Sequence, residues 1–170
     1  MKRTLHKELV DKEGEEVQVS GWVNGVRTMG DKLVFVDLRD RSALLQIVFY
    51  KPDLDEKTAA LVDEIKPEFI LTIEGVVQAR GKKQINPEML TGTVELGAKS
   101  VTILARSKTP PFEIDKDSIE VNEGLRMKYR YLDLRTERLQ KNIRLRSNFV
   151  QACRDYLFKE DFVEIETPLL

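Results

Sequence analysis

A hydrophobic period that runs at two, changes to 3.6 and returns to two most narrows what this chain can fold into. Val17, Val19, Gly21 and Val23 alternate with Gln18, Ser20, Trp22 and Asn24. Val34, Val36 and Leu38 alternate with Phe35, Asp37 and Arg39, and Leu45, Ile47 and Phe49 alternate with Gln46, Val48 and Tyr50. Each run is the pattern of a strand with one buried face. From Asp53 the spacing changes: Leu54, Thr58, Leu61, Val62 and Ile65 share one side of a helix, with Asp53 and Glu56 as a capping pair and Pro67 as its stop. Strand patterning resumes in Phe69–Arg80 and Thr93–Leu104, around a loop holding Gly81, Asn86, Pro87 and Gly92.

The order β-β-β-α-β-β is that of a β barrel of the OB type, which places an OB-fold domain over residues 1–105. Such barrels take oligonucleotides or oligosaccharides on their second and third strands and the adjoining loops. If Val34, Val36 and Leu38 point inward, Phe35 points outward, and the same parity selects Trp22 and Gln46. An outward ring can stack on an unpaired base, worth about 1–3 kcal/mol per base, and a carboxamide beside it offers a donor and an acceptor for the base edge. An outward ring can also pack under a terminal segment, here Leu5–Val10. Periodicity leaves both readings open for Phe35 and favours packing for Trp22.

Ser107-Lys108-Thr109-Pro110-Pro111-Phe112 breaks both periods, since each proline removes a backbone donor and fixes φ. Residues 106–138 read as a linker, and residues 139–170 as the first helix and strand of an incomplete α+β domain. The helix, Leu139–Glu160, gathers Leu145, Phe149, Ala152, Cys153 and Tyr156 on one side, and a strand is expected over Phe162–Glu166. Their apolar surface needs a second subunit or further chain to cover it, so dimerisation or poor solubility follows.

Charge and rare residues exclude several functions. With 28 basic and 29 acidic side chains, any contact with nucleic acid must rest on local arrangement rather than overall charge. Arg126, Lys128, Arg130 and Arg135 follow an acidic run from Glu113 to Glu123, suiting them to internal ion pairs or to RNA phosphates. A single histidine, His6, and a single cysteine, Cys153, give no disulfide, no metal-ligand spacing and no Cys/His nucleophile. Cys153 is expected as a small buried apolar group in a reducing compartment. Glu164 and Glu166 lie two apart on the expected strand but lack the rest of an acid–base pocket. No apolar leader follows Lys2 and Arg3, and no run approaches the ~20 apolar residues of a membrane span, so a cytoplasmic chain is expected.

Several motifs then converge. Gly21-Trp22-Val23-Asn24, Val36-Asp37-Leu38-Arg39-Asp40-Arg41, Gln46-Ile47-Val48-Phe49, Ile85-Asn86-Pro87, Thr91-Gly92 and Thr109-Pro110-Pro111-Phe112 occur in this order, before Leu125–Arg135 and Phe162–Leu170. Together they resemble the bacterial-type aspartyl-tRNA synthetases of class II, with Phe162–Leu170 similar to motif 1; the asparaginyl and lysyl enzymes share the architecture.

The resemblance implies tRNA anticodon recognition by the barrel. Phe35 would stack on the central uracil and Gln46 would hydrogen-bond it, with Arg27, Arg80, Asn86 and Glu95 also at the anticodon and Pro168 at a homodimer interface. It also implies an enzyme that activates aspartate with ATP and magnesium and transfers it to tRNA. The residues that hold the amino acid and ATP belong to later segments, so no catalytic, cofactor or metal residue is expected here and the chain alone should be inactive. The family usually carries three consecutive arginines and an acidic residue after the Gly-Trp-Val-Asn motif's tryptophan region, whereas this chain has Gly25, Val26, Arg27 and Thr28. One residue is inserted before Phe35, and Gln78 replaces an arginine. A fragment of an asparaginyl- or lysyl-type synthetase, a stand-alone OB module that binds generic single strands, and a purely structural barrel are the competing readings.

Overall fold

The computed structural model describes residues 2–168, which fall into two compact units, Met1–Pro111 and Phe112–Leu170. In the first unit, strands β1 (Glu16–Met29), β2 (Leu33–Arg39) and β3 (Leu44–Tyr50) precede helix α1 (Glu56–Glu64), and β4 (Ile70–Ala79) and β5 (Val94–Ala105) follow it. They close a barrel in the order β1-β2-β3-β5-β4. Its pairs are antiparallel except for β3 with β5. The OB-type order read from the periodicity is therefore the observed one.

Parity fills the interior. Val17, Val19 and Val23, Val34, Val36 and Leu38, Leu45, Ile47 and Phe49, Leu71 and Ile73, and Leu96 are all buried there. Each such side chain contributes roughly 1.5–3 kcal/mol by leaving water. Val62 of α1 and Ile65 just after it join the same cluster. At the seam between β1 and β2 the backbones approach so closely that a Cβ on Gly21 would lie 2.4 Å from the Arg39 carbonyl oxygen, so only a hydrogen fits.

One local expectation is corrected, and two details are added. The cap of α1 is Asp55 rather than Asp53: its carboxylate accepts from the Thr58 N–H at 3.0 Å and the Thr58 hydroxyl at 2.7 Å. Pro52 turns the chain into a 3-10 turn, Lys51–Asp53, so the helix starts later. The end of α1 falls at Glu64, before Pro67. In β1, a bulge between Val23 and Gly25 reverses the parity, turning Val26 toward the core and Arg27 outward.

The N-terminal 3-10 helix, His6–Asp11, is tied to the β2–β3 turn. Asp40 accepts from the Ser42 N–H at 2.7 Å, the Ser42 hydroxyl at 2.7 Å and the Ala43 N–H at 3.0 Å, and its other oxygen accepts from the His6 N–H at 3.1 Å. The buried imidazole donates from Nδ1 to the Ala43 carbonyl at 3.1 Å. Burial pushes the His6 pKa down against the pull of Asp40. Burial would raise Asp40, but the hydrogen bonds from Ser42 and Ala43 outweigh it and hold the carboxyl below its usual range.

The second unit holds α2 (Glu123–Lys128), α3 (Arg130–Asp133) and the long α4 (Glu137–Lys159). Its polar knot is the buried Asp133, whose carboxylate takes the Ser118 hydroxyl and the Arg130 guanidinium. Arg138 reaches Asp117 at 2.9 Å and holds that carboxyl low. Of the basic residues read as partners for the acidic run, Arg130 pairs instead with Asp133, its neighbour on α3, and Lys128 lies over the Tyr129 ring at 5.5 Å. No residue of α4 is buried, and Leu145, Phe149 and Tyr156 stand exposed. Cys153 is exposed as well, contrary to expectation, because the apolar side of α4 has nothing packed on it among the described residues. Residues 162–166 form no strand, since no neighbouring strand is present to pair with them.

Candidate nucleic-acid interface

The outer wall of the barrel at β1, β2, β3 and β5 brings together four of the six residues proposed for recognition, with Arg80 buried behind Glu95. Phe35 lies on β2 between Val34 and Val36, both buried, and is itself half-buried on the outside. Cross-strand register sets its row: Arg27 of β1 on one side, Val48 of β3 on the other, then Gly97 of β5. The Arg27 guanidinium stands over the Phe35 ring at 5.9 Å from the centroid, a cation–π contact. Val48 and Gly97 carry little bulk, and the Gln78 carboxamide lies over Gly97, its Nε2 2.8 Å from where a Cβ on that glycine would sit.

The next row is polar. Asp37 and Gln46 face one another directly across β2 and β3. Arg27 Nη2 donates to Asp37 Oδ1 at 3.1 Å, to Asp37 Oδ2 at 3.3 Å and to Gln46 Oε1 at 3.1 Å. Gln46 Nε2 donates in turn to Glu95 Oε2 at 2.8 Å. That same Glu95 oxygen lies 3.9 Å from Arg80 Nε. Arg80, with a side chain 4% exposed, donates from Nε to the Val94 carbonyl at 3.1 Å. Burial lowers its pKa, opposed by the charges of Glu95 and Asp37. Arg80 thus braces Glu95 from beneath the surface.

Asn86 lies outside this chain of contacts. It shapes the β4–β5 loop: its Oδ1 accepts from the Glu88 N–H at 3.0 Å, and its own N–H donates to the Gly92 carbonyl at 3.1 Å. A Cβ on Gly92 would fall 1.8 Å from the Asn86 carbonyl oxygen, which fixes glycine there. Trp22 is on the outer face as parity requires, opposite Arg39 and Ile70 rather than beside Phe35. Pro168 is exposed in the second unit. Asp37 was legible as an outward residue but not as a member of the site; the signal for it is the hairpin register that sets it opposite Gln46.

A closed five-stranded barrel in this strand order is the architecture of the OB-fold nucleic acid binding domains. The model of OB-fold nucleic acid binding domains matches residues 17–104, and the chain belongs to that family. Residues 122–170 match the model of class II tRNA synthetases (D, K and N).

More particularly, the chain is similar to the aspartate–tRNA ligase of Oceanobacillus iheyensis, 48% identical over 157 residues that make up 92% of this chain and 26% of that protein. It is 46% identical over 157 residues, again 92% of this chain and 26% of the relative, to the aspartate–tRNA(Asp/Asn) ligase of Halothermothrix orenii. It is 41% identical over 171 residues to the aspartate–tRNA ligase of Staphylococcus epidermidis, covering 99% of this chain and 29% of that one. The chain therefore spans between 26% and 29% of the length of these curated relatives. Among solved structures, the aspartyl tRNA synthetase from Entamoeba histolytica superposes with a TM-score of 0.86 at 24% identity, covering 99% of this chain and 39% of that one. A putative aspartyl-tRNA synthetase from Leishmania major Friedlin gives 0.85 at 27% identity, with 98% and 34% covered.

Proposed function

We propose that the barrel recognises the anticodon of a tRNA as part of an aspartate–tRNA ligase, with Phe35 stacking on the central uracil and Gln46 hydrogen-bonding its edge. The observation that carries this reading is the outward Phe35, set between two buried valines and bordered by Arg27 and Gln46. A ring held half-open beside a carboxamide suits an unpaired pyrimidine better than a packing role. Arg27 and Glu95 lie within reach of the flanking nucleotides, and Arg80 acts by supporting Glu95. Asn86 positions the β4–β5 loop against the same nucleotides.

The activation of aspartate with ATP and magnesium, a homodimer that includes Pro168, and residence in the cytoplasm belong to this proposal as what the motif resemblance implies. Among the described residues no group of three or more His, Cys, Asp or Glu side chains could hold a metal ion. No helix among them is long and apolar enough to cross a membrane.

Binding of the chain to tRNA transcripts with a central uracil or a central adenine tests the reading. The uracil form should bind more tightly, and Phe35→Ala should weaken it about tenfold or more with an unchanged melting temperature. Equal binding of both transcripts would favour a generic single-strand module. A loss of stability without loss of affinity would mean that the ring is a packing group.

A further inference from the structure

The polarity of the Gln46 carboxamide is fixed from both ends. Its oxygen accepts a hydrogen bond from Arg27, and its nitrogen donates one to Glu95. Reversing the amide would set Nε2–H against the guanidinium and Oε1 against the Glu95 carboxylate, donor on donor and acceptor on acceptor. Arg27 alone would not enforce this, because its exposed side chain has many rotamers; both carboxylate oxygens of Asp37 hold it in place. Asp37 is 23% exposed and sits opposite Gln46, with Gly25 as its other neighbour.

Resting on the anticodon reading, we infer that Asp37 is a positioning residue that, through Arg27, locks the Gln46 amide in the orientation that accepts uracil and refuses cytosine. The amide oxygen has a second lone pair and the nitrogen a second hydrogen, so an acceptor and a donor remain for a base. Uracil meets them with N3–H toward Oε1 and a carbonyl toward Nε2–H. Cytosine in the same register offers an acceptor at N3 and a donor at N4, and requires the amide reversed. A free amide could turn to suit either base; one pinned between a guanidinium and a carboxylate cannot.

The test compares binding of tRNA transcripts with central uracil and central cytosine to the wild-type chain, Asp37→Ala and Asp37→Glu, with melting temperatures in parallel. The wild type should prefer uracil. Asp37→Ala should lower the uracil-to-cytosine ratio about tenfold, mainly through tighter cytosine binding. Asp37→Glu, whose carboxylate still reaches Arg27, should restore the ratio. If Asp37→Ala does not fold, Asp37→Asn, equal in size and uncharged, carries the same expectation. An unchanged ratio in the folded variant, with or without a loss of stability, overturns the inference and leaves the anticodon reading standing if uracil is still preferred to adenine. A wild type that prefers uracil to neither adenine nor cytosine overturns both.

Discussion

Leu38 and Phe35 lie three residues apart on β2, and their replacement by alanine is expected to register in different measurements. Leu38 is fully buried, so Leu38→Ala should cost about 2–5 kcal/mol of stability by chemical denaturation, the transfer loss plus the cavity left behind. Phe35 is half-buried on the outer face, and its truncation should register mainly in tRNA affinity. Strand parity made this division legible, because each residue's face follows from its neighbours. Arg27 was not legible in the same way. Counted in register with Val17, Val19 and Val23 it would point inward, and the bulge before Gly25 is what brings it out beside Phe35. An extra residue in one strand leaves no mark in a hydrophobic pattern until the partner strand is known.

The element with the sharpest dependence on solution conditions is the N-terminal 3-10 helix. His6 Nε2 is buried with no hydrogen-bond partner among the described residues, and the cost of burying a charged ring outweighs the pull of Asp40 and of the Ala43 and Leu38 backbone on it. Its folded pKa lies below the ordinary 6.5. The unfolded chain therefore binds this proton more readily, and stability is lost as pH falls from 6.5 toward the folded value. Asp40, also held low, loses its contribution only below the ordinary 3.8. Urea midpoints measured between pH 7 and pH 5, roughly the window histidine titrates in, should fall in the wild type and stay flatter in His6→Gln. For α1, Asp55→Ala removes the cap and should cost about 1 kcal/mol, whereas Asp53→Ala should change stability little. The sequence held several acidic residues near that helix start; the turn made by Pro52 chose among them.

For the whole molecule, the contrast is between a barrel that closes on itself and a long helix that does not find a partner. Every strand of the first unit has two neighbours, which removes exposed edges. The second unit leaves Leu145, Phe149 and Tyr156 of α4, together with Phe162, Val163 and Ile165, in solvent. An apolar face of this kind favours association. Sedimentation velocity should show self-association that the double variant Leu145→Glu, Phe149→Glu reduces, while preference for central uracil, which is assigned to the barrel, stays unchanged.

Alternation and the change of period determined by themselves the barrel's element order, its interior residues and the outward placement of Phe35 and Gln46, because burial of one face imposes a period that needs no partner to be read. Motif order likewise determined the family. The tertiary structure decided what depends on register between strands: the outward turn of Arg27, the pairing of Asp37 with Gln46, the bracing of Glu95 by Arg80, and the exposure of Cys153. A side chain's face is a property of its own strand, but its partners are set by hydrogen bonds to distant chain segments, 49 positions away for Gln46 and Glu95.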